Sequence, residues 1–307
     1  MIKTLAIHGG GIRGIIPAVI LNWMEKHVGK PIAEIFDLVA GTSTGGILGA
    51  ALSIGFTAED IIGMYEYEGE QIFPQSVWRS LHTIGGAAEE KYPSGGIEAV
   101  LQKYFGTHKL SDAETNLIIP TYDIERRRPI FFKSYKEKFK TILMWQVARA
   151  TSAAPTFFEP YKWYMPNGDY FSLIDGGMFA NNPAMCAYVE ALAEFDATDY
   201  MVVSLGTGSA TQPILHEDAQ GWGLVGWAPH ILDINFDGQS DTADYQLNRL
   251  LPLNRFYNFQ PMLVGVNEAM DDASPENIRA LKLLAENYIE DNKSMLEALC
   301  DILAYQV

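Results

Sequence analysis

The chain has 307 residues, 48% of them apolar, which suits one large α/β unit with enough apolar surface for a single buried core. Its 22 Lys and Arg stand against 38 Asp and Glu, and a formal net charge of -16 works against nucleic acid as a partner and against purely electrostatic capture by anionic bilayers. Cys186 and Cys300 lie far apart in no ligand spacing, so neither a disulfide framework nor a metal site is expected.

Met1 to Ile7 is too short an apolar run for a secretory signal, and no stretch of about 18 apolar residues is available to span a bilayer. The expectation is a cytoplasmic protein, with any membrane contact peripheral.

In chain order, Leu5 to His8 predicts a short buried strand that runs into the glycines Gly9 to Gly14 and then a helix over Ile15–His27. Phe36–Ala40 predicts a second strand, broken at Gly41-Thr42-Ser43-Thr44-Gly45 and followed by a helix of small residues to Ile54. Thr57 with Asp60 reads as a capping box that opens an acidic helix to about Phe73, with Pro74 as its boundary. The glycines and proline between 80 and 96 predict a mobile surface loop. Leu117–Tyr122 and Pro129–Phe132 predict two strands, joined through Arg126-Arg127-Arg128. That triplet reads as a solvated turn, with the grip of a lipid phosphate as its alternative.

Met144–Ala154 predicts a helix that Pro155 stops. Phe171–Ile174 is a strand ending at Asp175-Gly176-Gly177, with Asn181-Asn182 turning into a helix over Pro183–Phe195. Tyr200–Leu205 is another strand, ending at Gly206-Thr207-Gly208. Gly221 to Pro229 carries two tryptophans and reads as a packed helix or subunit contact, or else as a stretch that touches a bilayer or lines an acyl pocket. Ser274-Pro275 opens a long amphipathic helix whose stripe runs from Ile278 to Ile302. Alternating strands and helices predict a mainly parallel sheet covered on both faces.

Three turns carry candidate chemistry. Gly41-x-Ser43-x-Gly45 between strand and helix fits a nucleophile elbow, with the helix amides and dipole aimed at any developing negative charge. Gly9-Gly10-Gly11-Ile12-Arg13-Gly14 offers backbone amides free of side chains, which an oxyanion hole requires; Gly10, Gly11 and Arg13 are the expected donors. The same glycines satisfy the dinucleotide pattern through Gly9, Gly11 and Gly14, so a nicotinamide-dependent oxidoreductase is the alternative. No acid stands at the tip of the second strand to hold a ribose, which counts against it. Asp175, at the end of its strand, is the best-placed carboxylate for a base, because a parallel sheet would bring it to the same edge as both glycine turns. Gly176 and Gly177 complete that turn. His216 and His230 follow Asp175 in order, so a Ser, acid, His triad is a further alternative, while His8 reads as a packed strand-end residue.

His-Gly-Gly-Gly-Ile-Arg-Gly at 8–14, Gly-Thr-Ser-Thr-Gly-Gly at 41–46 and Asp-Gly-Gly at 175–177 together resemble the oxyanion loop, serine elbow and catalytic aspartate of patatin-like phospholipases. Ala148 to Pro155 resembles a further segment of that family, and the likeness covers about residues 4–190. His8 departs from it, since such sequences often carry Asp or another polar residue there. The resemblance implies a three-layer α/β/α fold, with residues from about 209 to 307 as an extension packed on it within one domain. It also implies a Ser43/Asp175 dyad that needs no cofactor or metal, and a lipid or phospholipid ester as substrate, cleaved in the manner of a phospholipase A or lysophospholipase. A catalytically idle lipid-binding or signalling module is the remaining alternative. A homodimer or an activating partner is compatible with the resemblance.

Overall fold

The computed structural model describes residues 1–73, 92–165 and 167–305. At its centre β1 (Ile2–Ile7) lies between β2 (Leu38–Gly41) and β7 (Tyr200–Leu205), parallel to both. β3 (Asn116–Asp123) extends the parallel set beyond β2, and β8 (Phe256–Phe259) extends it beyond β7. β4 (Arg128–Lys133) and β6 (Tyr170–Asp175) run antiparallel to β3, and β5 (Tyr161–Tyr164) pairs antiparallel with β6. The sheet is therefore mainly parallel, with β4 and β6 reversed.

Side chains of the central strands alternate between two covered faces, as period-two geometry dictates. Leu5, Ile7, Val39, Leu117, Ile119, Met201 and Val203 enter the larger core, while Ala6 and Val202, with Leu38, Ala40 and Ile118, enter two smaller clusters behind the sheet. The larger core is closed by α1 (Ile15–Val28), α3 (Thr44–Ser53), α4 (Ala58–Ile72), α5 (Ser94–Phe105) and α6 (Met144–Thr151); α2 (Ile32–Ile35) is a single turn between α1 and β2. Behind the sheet, Ala184, Ala187 and Ala191 of α8 (Ala184–Glu194) pack close because they are small. A short α7 (Gly177–Ala180) links β6 to it.

After the single-turn α9 (His216–Ala219) comes α10 (Leu224–Leu250), 27 residues long; it starts within the 221–229 stretch read as a packed helix or subunit contact, and its continuation was not expected. The expected long terminal helix is two, α11 (Pro275–Asp291) and α12 (Lys293–Ala304). The break is at Asn292, whose side-chain amide donates to the Tyr288 carbonyl at 2.8 Å. Leu281, Leu296 and Leu299 nevertheless enter the same core as Leu5 and Ile16.

Other expectations hold with small shifts. Thr57 accepts from the Asp60 amide and Asp60 answers the Thr57 amide, the reciprocal box that opens α4. The expected loop over 80–96 lies outside the described residues as far as 91; from Ser94 the chain is already helix, so Gly95 and Gly96 sit in the first turn of α5 and not in a loop. Among the described residues, no helix is long and apolar enough to cross a membrane, and no cluster of His, Cys, Asp or Glu has the geometry to hold a metal.

Candidate active site

β2 and β6 meet nearly tip to tip along one side of β3. Ile118 pairs with Ala40 of β2 and with Lys133 of β4, while Thr121 pairs with Asp175 of β6 and with Ile130 of β4. Since β4 occupies one flank of β3, β2 and β6 must share the other. The route expected for Asp175 is thereby corrected: it arrives on a strand running against β1 and β2, not beside them. The edge it reaches is still the one where Ile7, Gly41 and Leu205 end in register.

Ser43 follows β2 with φ 54 and ψ -122, a conformation that side-chain-bearing residues rarely adopt and that costs on the order of 1–3 kcal/mol. Helix α3 begins at the next residue. The turn is this tight because a Cβ at Gly45 would overlap the carbonyl oxygens of Ile7 and His8, and one at Gly41, the last residue of β2, would overlap Gly45. Ser43 Oγ donates to Asp175 Oδ2 at 2.6 Å. The other carboxylate oxygen of Asp175 accepts from the Gly177 amide at 2.7 Å. Asp175 is only 2% exposed, and burial pushes its carboxyl up to about 7 against the pull of those two hydrogen bonds. Gly176, between Asp175 and Gly177, lies against the Pro120 carbonyl, which leaves no room for a side chain.

The glycine loop faces this pair. The Gly9 amide donates to the Asn181 carbonyl at 3.1 Å, and Thr207 Oγ1 donates to the Gly9 carbonyl at 2.6 Å, so the loop is tied to the end of α7 and to the turn after β7. Gly14 sits against Tyr65 and Thr44, whose hydroxyls hydrogen-bond to each other. The amides of Gly10 and Gly11 have no acceptor among the described residues. That of Arg13 donates to the Gly10 carbonyl at 3.2 Å inside the 3₁₀ turn Gly11–Gly14, so the expected donor set of three contains two uncommitted members. The Arg13 guanidinium donates to the Glu268 carbonyl at 3.2 Å and lies within electrostatic reach of Asp233 and Asp237 on α10.

Gly10, Gly11, Ser43 and Asp175 open onto a narrow cavity whose walls are otherwise largely apolar. Met64 and Ile72 of α4, Val100 of α5, Phe158 after α6, and Leu232 and Phe236 of α10 line it. The tryptophans of the 221–229 stretch do something else: Trp222 stacks on His230 at 4.5 Å and meets Trp227 edge-on at 5.2 Å, and the α10 wall of the cavity begins one turn later.

Histidine has no part in the polar contacts of the pair among the described residues. His8 is buried, shares a 2.7 Å hydrogen bond with Ser204 Oγ, and is pushed down to about 3 by desolvation, so it stays neutral at physiological pH. His216 is exposed and His230 is stacked on Trp222. The arginine triplet divides: Arg126 donates to Asp123, Asp169 and the Tyr170 carbonyl and stacks 4.3 Å over Phe171, while Arg127 and Arg128 are exposed. Sequence reading missed the ties that Asn181 and Thr207 make to the loop. Thr207 stands in the glycine turn directly after β7 and Asn181 in the polar Asn-Asn-Pro turn after α7, the signals they offered.

The sequence profile described as patatin-like phospholipase matches residues 5–188. Patatin-like protein 2 of Oryza sativa subsp. indica is 33% identical over an alignment covering 97% of this chain and 86% of that protein. Patatin-like protein 2 of Arabidopsis thaliana is 31% identical, with 100% of this chain and 88% of that protein covered. Among solved structures, human GIVD cytosolic phospholipase A2 in complex with methyl gamma-linolenyl fluorophosphonate shares the fold, with a TM-score of 0.51 at 11% identity, covering 99% of this chain and 59% of that one.

Proposed function

Because the chain belongs to the patatin-like phospholipase family, and so to the lipid acyl hydrolases, we propose that it cleaves carboxylic esters of lipids, as a phospholipase A or lysophospholipase does, with Ser43 as nucleophile and Asp175 as general base. The observation that carries this reading is the 2.6 Å hydrogen bond from Ser43 Oγ to a buried carboxylate at the head of an apolar cavity.

In the forward step Ser43 Oγ bonds to the ester carbonyl carbon while its proton passes to Asp175. The amides of Gly10 and Gly11 receive the oxyanion, joined by the first-turn amide of Thr44, which also lacks an acceptor among the described residues. Collapse of the tetrahedral intermediate breaks the ester C–O bond, and Asp175 returns the proton to the departing alcohol. Water, deprotonated by the same carboxylate, then releases the fatty acid and restores Ser43. An ordinary Asp is a poor base at neutral pH, and a carboxyl held near 7 is matched to the task. The acyl chain takes the apolar walls, whose burial is worth ~0.8 kcal/mol per methylene.

The test is mass spectrometry of a mixed lipid extract incubated with the wild type, Ser43→Ala and Asp175→Asn. Fatty acid release is expected from the wild type alone, and either variant retaining it would sink the dyad. Covalent capture of Ser43 by a fluorophosphonate, with no response to NAD, separates this reading from the dinucleotide alternative. Lipid binding without turnover by the wild type would favour the idle module.

A further inference from the structure

Residues 148–155, Ala-Arg-Ala-Thr-Ser-Ala-Ala-Pro, take no part in the chemistry just described, yet they occupy the gap between the tips of β2 and β6. β2 pairs with β3 as far as Ile118 and β6 from Thr121 onward, which leaves Ile119 and Pro120 between them. The last residue of α6 fills that gap. Thr151 is buried; its hydroxyl donates to the Pro120 carbonyl at 2.7 Å and accepts from the Ser43 amide at 3.0 Å. Two residues on, the Ala153 carbonyl accepts from the Asp175 amide at 2.9 Å. One short segment thus holds the backbone of both members of the pair.

The backbone of Ser43 is strained, and such conformations persist only where the surroundings over-determine them. Three polar handles act on the residue: its carbonyl accepts from the Ile47 amide at 3.1 Å, its hydroxyl donates to Asp175, and its amide donates to Thr151. The hydroxyl bond must be given up whenever Ser43 attacks. The amide bond need not be.

Resting on the reading of Ser43 as nucleophile, we infer that Thr151 is a positioning residue: its hydroxyl splints the Ser43 amide to the Pro120 carbonyl and keeps Oγ aimed while the bond to Asp175 is broken. The splint must accept from an N–H and donate to a C=O at once, which a neutral hydroxyl does and valine cannot. Threonine adds a stiff χ1 and a methyl that closes on Gly46, where an added Cβ would lie 2.8 Å from Thr151 Cγ2.

The experiment compares Thr151→Val, nearly the same shape without the hydroxyl, with Thr151→Ser, which keeps it. Hydrolysis of a soluble long-chain p-nitrophenyl ester is measured per active site, titrated with a fluorophosphonate. Thr151→Val is expected to lose about 10²-fold in kcat per titrated site with little change in KM, the scale of a small misplacement of a reacting group, and Thr151→Ser to recover most of it. A merely structural role would lower the titrated fraction and leave kcat per site alone. If Thr151→Val does not accumulate as folded protein, Thr151→Ala takes its place, since its smaller side chain leaves room for a bridging water, and the same fall in kcat per site is expected in weaker form. A kcat per site within about threefold of wild type in the variant lacking the hydroxyl overturns the inference. If Ser43→Ala is inactive in the same assay, the nucleophile reading survives that result; if Ser43→Ala is active, that reading has failed first.

Discussion

β2 and β6 bring their terminal residues to one point by opposite means. β2 lies in the parallel heart of the sheet, with β1 and β3 on its flanks and α3 immediately after it. β6 comes from the far side, touches β3 over only Thr121 to Asp123, and leans on β5 and Arg126 for the rest. Their costs differ in kind. Ser43 is held in backbone strain, whereas Asp175 is held in desolvation. Ser43 and Asp175 therefore meet without parallel delivery, because their two strand ends abut the same neighbour.

The largest effects should follow from filling the two turns. Gly45→Ala drives a Cβ into the carbonyls of Ile7 and His8, both fixed in the central sheet, and is expected to destabilise by on the order of 4 kcal/mol or to prevent folding. Gly176→Ala meets the Pro120 carbonyl, where β6 is held to β3 by only three paired residues and can shift, and should cost about 2 kcal/mol while reducing kcat more than its stability loss suggests. Thermal unfolding of the two variants checks the contrast, and equal losses would mean that the β6 tip is as rigid as the β2 tip.

pH comes next. If Asp175 is the base, kcat/KM should rise about tenfold per pH unit below about 7 and level off above it. Stability should move the opposite way. Below the ordinary value of 3.8 both the folded and unfolded chains carry the proton; between there and about 7 the folded chain keeps a proton that the unfolded chain has released. Folding free energy from this group is thus lost as pH rises through that window, on the order of 4 kcal/mol in all. Asp175→Asn should consequently unfold at a higher temperature than wild type at pH 8, with the advantage shrinking toward pH 4. A constant difference across that range would mean that desolvation is not what holds this arm.

The β2 arm was the more legible of the two in sequence because its constraints are local. Gly41, Ser43 and Gly45 lie within five residues, and the sterics that demand them act between the turn and the strand beside it. Asp175 could be recognised as an acid at a strand end, but its direction depends on pairing with Thr121, about 50 residues away, and nothing local encodes that register. Most of α10 escaped for a related reason: Gly226, Pro229 and Gly238 interrupt its pattern, and its useful face amounts to Leu232 and Phe236 against a cavity assembled from several other segments. Asn292 escaped because the apolar stripe continues past it into α12. The 148–155 segment was visible as a likeness but not as a device, since Thr151 acts on residues 31 and 108 positions away.

The smallest effect should come from Arg126, which fastens the start of β6 to the end of β3. Its guanidinium donates to Asp123 at 3.1 Å, to Asp169 at 2.9 Å and to the Tyr170 carbonyl at 2.8 Å, and it lies over the Phe171 ring. The Asp169 contact is solvent-accessible, so salt and water weaken it, and the buried Asp123 keeps the backbone amides of residues 125 and 126 as donors, so Arg126→Ala should leave the fold intact. Freed at its start, however, β6 can slide along the three residues it shares with β3 and carry Asp175 with it. The expected result is a fall in kcat of about fivefold with an unchanged midpoint near pH 7, while Arg127→Ala, on an exposed neighbour, changes neither. Equal kcat for Arg126→Ala and Arg127→Ala would show that three paired residues suffice to hold the base, and that the β6 arm is no looser than the β2 arm it faces.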